Sequence, residues 1–530
     1  MNKPDIGMSQ VAGSVVLAAV LGFGQGCTQA EEQPSLVILI AVDQLRGDLL
    51  ERYEEAFSGG LQRLMDEGQR YTNASHPFAV THTAAGHASL STGVLPSRSG
   101  IVANSWSQLV GDEWRSTYSV ADPDSPILGF ENDDRLPGRS PKNLLREGLA
   151  DWVRSADMNA RTVSISAKDR AAITLAGRTD SHVYWLLHEE ARFITSQYYA
   201  QAYPGWLQRF NDEVMPSLVG DTIWENDVPV EFQSLSRPDF APYERRGNST
   251  FPHVSSVEET VHNEWAFDSP KADEAVVTLA KTVMEELDLG QRGNVDYLGL
   301  ALSSTDYIGH LFGPLSQEQL SNLMHLDRLL GDFFNYLDEN VGEGKWIIGL
   351  SADHGVATMP EYEQERGNTS ASRIDAREKS RGRTRALQAA LAEGGSPEEI
   401  AERLARQLEA EGTVAKAYTH RELTMGEPAD SFAIFFRNSH YPGRAHSSLS
   451  RYGVEIRYAE GELLYRANGT SHGTVYWYDR HVPLILLGKG IGAGVSESPA
   501  YTIDLAPTLA RLAGIAAPDD LDGRVIYTGR

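Results

Sequence analysis

Short apolar runs that each end in acidic, basic or imidazole side chains constrain this chain more than any other feature. Leu36 to Val42 (LVILIAV) ends at Asp43, and Thr162 to Ala167 (TVSISA) ends at Lys168-Asp169-Arg170. Tyr297 to Leu302 (YLGLAL) runs into Ser303-Ser304-Thr305-Asp306, and Trp346 to Leu350 (WIIGL) runs into Ser351-Ala352-Asp353-His354. Unbroken apolar runs of this length suit strands covered on both faces by helices, whereas a half-exposed strand alternates. The expected fold is therefore α/β, with a central, mostly parallel sheet flanked by helices. Val482 to Leu487 (VPLILL) is expected to add a further strand.

Between the runs, Leu323, Leu326, Leu330, Phe333, Phe334 and Leu337 recur at three- and four-residue spacing, which predicts one buried helical stripe belonging to the core. Ser396-Pro397-Glu398-Glu399 supplies an N-cap, a first-turn proline and a capping-box glutamate ahead of Ile400, Leu404 and Leu408. That helix falls in a polar stretch, residues 360–465, expected to be an insertion. Residues 185–285, rich in Trp, Tyr and Pro, are expected to be another, and the two together to form a cap region.

With 530 residues, 41% of them hydrophobic, the chain can bury a large core, which excludes disorder, a disulfide scaffold and a collagen-like fibre. Its formal net charge of -26 argues against binding nucleic acid or anionic lipid through charge. It does not exclude a small anionic substrate, because a metal or a local basic pair can invert the field within one pocket. No protein partner is expected. Residues 11–23 (VAGSVVLAAVLGF) follow Lys3 and are too short to cross a bilayer, so residues 1–30 are expected to be a signal peptide or lipoprotein signal and residues 31–530 the catalytic domain. The single cysteine, Cys27, stands where a bacterial lipoprotein carries its acylated cysteine; cleavage after Thr28-Gln29-Ala30 is the alternative. Either way the mature protein has no disulfide and is expected to be secreted, periplasmic, or lipid-anchored facing the periplasm or exterior.

In a parallel α/β sheet, functional groups gather at the carboxyl ends of the strands. A lone Asp there is commonly a turn residue or a helix cap, but here four runs deliver charged or imidazole groups at that end. Asp306 and His310 are four residues apart, Asp353 and His354 are adjacent, His472 lies in a Gly-rich loop, and Asp43 completes three aspartates and three histidines. Oxygen with imidazole suits zinc and tolerates manganese, iron or cobalt, and six ligands exceed the need of one catalytic zinc, so two metals are expected. Two metals suit in-line displacement at phosphorus, which requires a nucleophile. The segment FAVTHTAAGHASLSTG offers Thr81, Thr83, Ser89, Ser91 and Thr92, with small residues after Thr83 that let a helix begin there. A hydroxyl at a helix N-terminus gains from the dipole and from free N–H groups, though spacing leaves Thr81 and Thr83 equally open. His76, His82 and His87 are taken as packing residues. Lys168 and Arg170 are expected to share one side of an extended segment, with Asp169 turned away, where both would face one phosphoryl group.

The ordered motifs VDQLRGD, TAAGHASLSTG, GIVANSW, SAKDR, STDYIGH, SADHG and SHGT resemble the alkaline phosphatase superfamily, in particular its PafA-type branch of secreted phosphatases with a threonine nucleophile. The resemblance runs from Leu36 to the C-terminal TIDLAPTLARLAGI segment. It implies that Thr83 is the nucleophile, that one Zn2+ is held by Asp43, Thr83, Asp353 and His354, and that a second is held by Asp306, His310 and His472. Asn104, Lys168 and Arg170 would bind the phosphoryl oxygens of small phosphate monoesters, which would be hydrolysed through a phosphothreonine intermediate. A nucleotide pyrophosphatase or phosphodiesterase of the same superfamily is the alternative, and Lys168 with Arg170 favours the monoester because a diester lacks the third non-bridging oxygen they would serve. A sulfatase would need a Cys/Ser-x-Pro-x-Arg motif, which is absent near Thr83. A non-catalytic phosphate-binding lipoprotein would be expected to have lost a ligand or the nucleophile.

Overall fold

Seven consecutive residues, Leu36–Val42, form a strand (β1) whose side chains are all fully buried. Leu36, Ile38, Ile40 and Val42 enter the core on one side of the sheet, and Val37, Leu39 and Ala41 enter the core on the other. Burial on both faces is why this run does not alternate. In the computed structural model, which describes residues 33–244, 249–255, 258–463 and 468–527, β1 is the centre of a nine-stranded sheet. The other strands are β2 (Gln69–Tyr71), β3 (Thr162–Ser166), β4 (His182–Leu187), β5 (Arg192–Ile194), β6 (Asp296–Leu302), β7 (Trp346–Ser351), β8 (Leu484–Gly488) and β9 (Gly494–Ser496). Their order is β9-β2-β8-β7-β1-β6-β3-β4-β5.

The five central strands from β7 to β4 are mutually parallel. The late strand is present but runs antiparallel to β7, and β5 runs antiparallel to β4, so the sheet is mixed at both edges. Register matters more than direction for the site. Val42 pairs with Leu302, Ala41 with Ser351, and Ala301 with Ser166, so the carboxyl ends of β1, β6, β7 and β3 are level.

Helix α1 (Thr83–Thr92) and helix α2 (Asp169–Leu175) pack on one face of the sheet, where Leu90, Ala171 and Leu175 join its core. Helix α3 (Lys271–Glu286) and helix α5 (Gln317–Leu337), the latter following α4 (Ser304–Phe312), cover the other face. The stripe Leu323, Leu326, Leu330, Phe333, Phe334 and Leu337 on α5 is buried as expected.

The stretch expected as the first insertion, 185–285, is partly sheet and partly covering helix, since it contains the end of β4, all of β5 and most of α3. Its middle packs on α4: Trp224 meets Phe312 edge-on, and Arg237 donates to the Phe312 carbonyl (2.8 Å) while pairing with Glu244. Within 360–465, helices α6 (Ala376–Ala392) and α7 (Pro397–Ala410) build a separate small core with Val414, Leu449 and Val454. The Ser396 capping box opens α7 as expected. Among the contacts of this stretch with the rest of the fold, the Ser439 hydroxyl accepts the N–H groups of Ala79 (2.9 Å) and Val80 (3.2 Å). Among the described residues no helix is long and apolar enough to cross a membrane. The expectations for residues 1–30, Cys27 included, lie outside the described residues.

Candidate active site

The level strand ends deliver Asp43, Lys168, Asp306 and Asp353 to one place. Lys168 is 5% exposed, and its ammonium donates to Asp43 Oδ2 (2.6 Å) and Asp306 Oδ2 (2.5 Å). Burial opposes its charge, but Asp306 and Asp43 hold the Lys168 ammonium above its ordinary pKa. This is no surface ion pair. Gln44, in the left-handed region at φ 67°, donates its backbone N–H to Asp353 Oδ1 (3.1 Å) and its side-chain amide to Asp306 Oδ1 (2.5 Å), which ties two strand ends together.

The histidines arrive pre-oriented. His310, one turn after Asp306 on α4, donates from Nδ1 to the Thr470 carbonyl (2.8 Å); His354 does so to Gly355 (3.0 Å) and His472 to Thr81 (2.7 Å). A carbonyl only accepts, so each Nδ1 carries a proton, which leaves Nε2 as the ring atom a metal would take. Those Nε2 atoms lie 3.2 Å (His310) and 3.8 Å (His472) from Asp306 Oδ1, and His354 Nε2 lies 3.3 Å from Asp353 Oδ2 and 3.5 Å from Asp43 Oδ1. The His354 and His472 rings stack with centroids 3.4 Å apart. Burial keeps both rings below the ordinary imidazole pKa, hence neutral.

Three overlapping donor sets emerge, Asp306-His310-His472, Asp43-Asp306-His354 and Asp43-His87-Asp353, and the ligand atoms within each triad fall inside 4.8 Å. Asp43 Oδ1 and His354 Nε2 are buried and accept no hydrogen bond, and Asp353 Oδ2 is buried with only His87 Nδ1 beside it, at 3.2 Å. Acceptors turned toward one another without a donor are costly unless a cation lies among them, so the residues fit divalent metal ions. The donor chemistry, carboxylate with imidazole and no thiolate, is that of zinc or a similar transition ion.

Thr81 and Thr83 are now distinguishable. The Thr81 hydroxyl donates to the Thr474 carbonyl (3.1 Å), whereas Thr83 opens α1 and its hydroxyl is engaged by no hydrogen bond among the described residues. Asn104 caps the same helix end: its Oδ1 accepts the Ala84 N–H (2.8 Å), which leaves its amide N–H groups as donors. Lys168 is the N-cap of α2 and Arg170 lies in its first turn, so the expected extended segment is a helix start instead. The first turn still sets the Lys168 ammonium between the strand-end carboxylates. Tyr118 (2.5 Å) and Arg139 (2.6 Å) draw the Asp169 carboxylate aside, and Arg170 lies in the field of Tyr118, Asp169 and Asp43.

Two residues went unread as site groups. His87, taken as packing, contacts the Thr83 carbonyl (2.9 Å) and Asp353 Oδ2 (3.2 Å) through Nδ1. Its position four residues after Thr83 on a helix was the available signal. Gln44 was signalled only by its place directly after Asp43.

The sequence pattern of the type I phosphodiesterase / nucleotide pyrophosphatase family matches residues 37–480. The chain is 31% identical over 529 residues to alkaline phosphatase PhoV of Synechococcus elongatus, covering 94% of this chain and 93% of that one. It is 29% identical over 545 residues to alkaline phosphatase PafA of Elizabethkingia meningoseptica, covering 97% of each. A crystal structure of wild-type PafA superposes with a TM-score of 0.85 at 28% identity, covering 94% of this chain and 99% of that one.

Proposed function

This chain belongs to the type I phosphodiesterase / nucleotide pyrophosphatase family, within the PafA-type branch of the alkaline phosphatase superfamily, and from that membership we propose that it is a secreted, zinc-dependent phosphomonoesterase working through a phosphothreonine intermediate. The observation that carries the reading is that Lys168, buried at the N-cap of α2, stands between Asp43 and Asp306 with the half-buried Arg170 in the first turn of the same helix, while Thr83 opens α1 with a hydroxyl unengaged among the described residues.

Asp43, Thr83, Asp353 and His354 would hold one zinc, and Asp306, His310 and His472 the other. Bound zinc supplies Lewis acidity, which favours the ionised form of a hydroxyl or water and offsets charge on the phosphoryl oxygens. The Thr83 oxygen attacks phosphorus in line with the departing alcohol: the Thr83 Oγ–P bond forms and the P–O bond to the alcohol breaks. Water then attacks the phosphothreonine from the vacated side, releasing phosphate and restoring the hydroxyl. The free amide donors of Asn104, with Lys168 and Arg170, bind the non-bridging oxygens and supply fixed positive charge where negative charge accumulates. The start of α1 adds its dipole and its unpaired N–H groups. Small phosphate monoesters are the substrate class, and we place the mature enzyme beyond the inner membrane. Mass spectrometry of its N-terminus separates a soluble form cut after Ala30 from one acylated at Cys27.

The second reading is phosphodiesterase activity. It is favoured by the engagement of Lys168 with both Asp43 and Asp306, since an ammonium devoted to carboxylates does not serve a third phosphoryl oxygen. The deciding experiment is kcat/KM for an aryl phosphate and a bis-aryl phosphate on the zinc-loaded protein. The monoester should be preferred, Thr83→Ala should abolish turnover, and Lys168→Ala with Arg170→Ala should cost at least about tenfold more on the monoester than on the diester. Equal losses would hand the site to the diesterase reading.

A further inference from the structure

A second constellation of metal-ligand chemistry lies in the later insertion, outside the site above. His420 begins a helix (His420–Met425) directly after the strand Lys416–Thr419, and Glu455 lies on the antiparallel partner strand Val454–Arg457, opposite Tyr418. His440 ends the helix Ser431–Ser439, and His446 directly follows the short strand Arg444–Ala445. Three separate segments thus bring a histidine to the carboxylate of a fourth. His420 Nε2 is 2.8 Å from Glu455 Oε1, His446 Nε2 is 3.3 Å from Glu455 Oε2, and the His420 and His440 rings have centroids 4.0 Å apart. Ligand atoms of His420, His440 and Glu455 all fall within 4.8 Å of one another.

From this geometry we infer that His420, His440, His446 and Glu455 form a zinc site that ties the 439–446 segment to the cap's small sheet, separate from the catalytic metals. Glu455 is only 3% exposed, and its Oε2 accepts no hydrogen bond. Zinc bonds of about 2.0–2.1 Å in a tetrahedron place neighbouring ligand atoms about 3.3 Å apart, the spacing of His446 Nε2 and Glu455 Oε2 here. Ser450 Oγ donates to Glu455 Oε1 (2.7 Å), the hydrogen bond that customarily orients a ligating carboxylate. Zinc would replace the proton through which His420 now bonds Glu455, and the site opens on a cavity of about 850 Å³ lined in part by His420, His440 and Ser450, through which an ion can enter.

The placement gives such an ion leverage. Ser439, next to His440, holds the N–H groups of Ala79 and Val80, in the segment that leads to Thr83. Fixing His440 therefore fixes the seat of the nucleophile segment.

The test counts zinc by mass spectrometry on the full chain after chelation, reloading and gel filtration. His420→Ala with His440→Ala should bind one zinc fewer per chain than the parent, whatever number the catalytic residues hold. Glu455→Gln, which keeps the side chain's size, should do the same and serves if the double variant does not fold. Separately, His354→Ala with His472→Ala, loaded with Co2+, should retain the visible absorption of a tetrahedral cobalt site, and adding His420→Ala should erase it. An unchanged zinc count in both cap variants, or no tetrahedral cobalt band in the His354→Ala/His472→Ala chain, overturns the inference. Neither readout uses turnover, so its failure is distinct from failure of the phosphatase reading.

Discussion

Gly86 is where α1, the helix that Thr83 opens, touches Asp353, and Gly86→Ala tests that contact. A methyl at this position would lie 2.1 Å from the Asp353 carbonyl oxygen and 2.6 Å from Asp353 Cβ. Non-bonded heavy atoms settle at about 3.5 Å, so α1 and the Asp353 loop must separate by about 1 Å. Neither side yields easily. Asp353 Oδ1 is held by the Gln44 N–H and the adjacent Ala352 carbonyl by His76 Nε2 (3.0 Å), while α1 is fastened through Asn104 and through Ser91, whose hydroxyl donates to the Thr174 carbonyl (2.7 Å).

Two effects of the substitution oppose each other. In an unencumbered helix interior, Gly→Ala stabilises by up to about 1 kcal/mol. Forcing a methyl into packed backbone costs about 1–3 kcal/mol, so overpacking wins and the melting temperature should fall. The effect on rate should be larger, because a 1 Å misplacement of reacting groups costs on the order of 10²-fold. The assay is kcat/KM on an aryl phosphate with zinc content and thermal unfolding measured on the same sample. Gly205→Ala, where the added methyl meets nothing closer than 3.8 Å, is the control and should be unaffected in rate. Gly86→Ala with zinc bound, kcat/KM within about threefold of the parent and an unchanged or raised melting temperature would refute the contact.

Burial against the pull of the Gly148 and Arg178 N–H groups pushes the Asp151 carboxyl up to about 6. The folded value thus lies above the unfolded one near 3.9, so its stabilising contribution is full below about pH 4 and is lost as pH rises through about 6. Asp151→Asn should therefore remove about 1 kcal/mol of the fall in stability between pH 5 and pH 7.5, read by urea unfolding with metals held constant; an unchanged pH dependence would contradict the assignment. Chelation should abolish orthophosphate binding in equilibrium dialysis as well as turnover, and an apoenzyme that still retains phosphate would show that Lys168 and Arg170 suffice alone.

The centre of the fold was legible because strands buried on both faces leave an unbroken apolar run, and because their level ends concentrate Asp43, Lys168, Asp306 and Asp353. Strands β2, β5 and β9 were not: each is three residues long, and β9 (Gly-Val-Ser) carries one large apolar side chain. They exist by pairing with an edge already built. Strand direction is likewise absent from an apolar run, so β8 looked no different from a parallel strand. In the site, residue types at strand ends could be read, but the choice of Thr83 over Thr81 rests on a bond from Thr81 to Thr474, and the importance of Gln44 on partners 309 and 262 positions away. His420 escaped notice because its partner Glu455 is 35 positions away, and His440 because it ends a helix with no ligand spacing to mark it.

The charge of the central cluster explains why its residues need cations to do the chemistry proposed for them. Burial and the neighbouring Asp306 and Asp353 raise the Asp43 carboxyl well above its ordinary value, and Lys168 at 2.6 Å does not reverse the shift. A cluster that makes one of its own carboxyls hard to ionise is short of positive charge. Asp43, Asp306 and Asp353 would carry three negative charges against two positive ones from Lys168 and Arg170, and a phosphoryl dianion would deepen that deficit. Two divalent ions, if bound as proposed, would turn the sum from one negative charge to three positive. The same carboxylates that would repel the substrate then become the means of concentrating cations against it, and a protein with a net charge of -26 can still bind a dianion at one point on its surface.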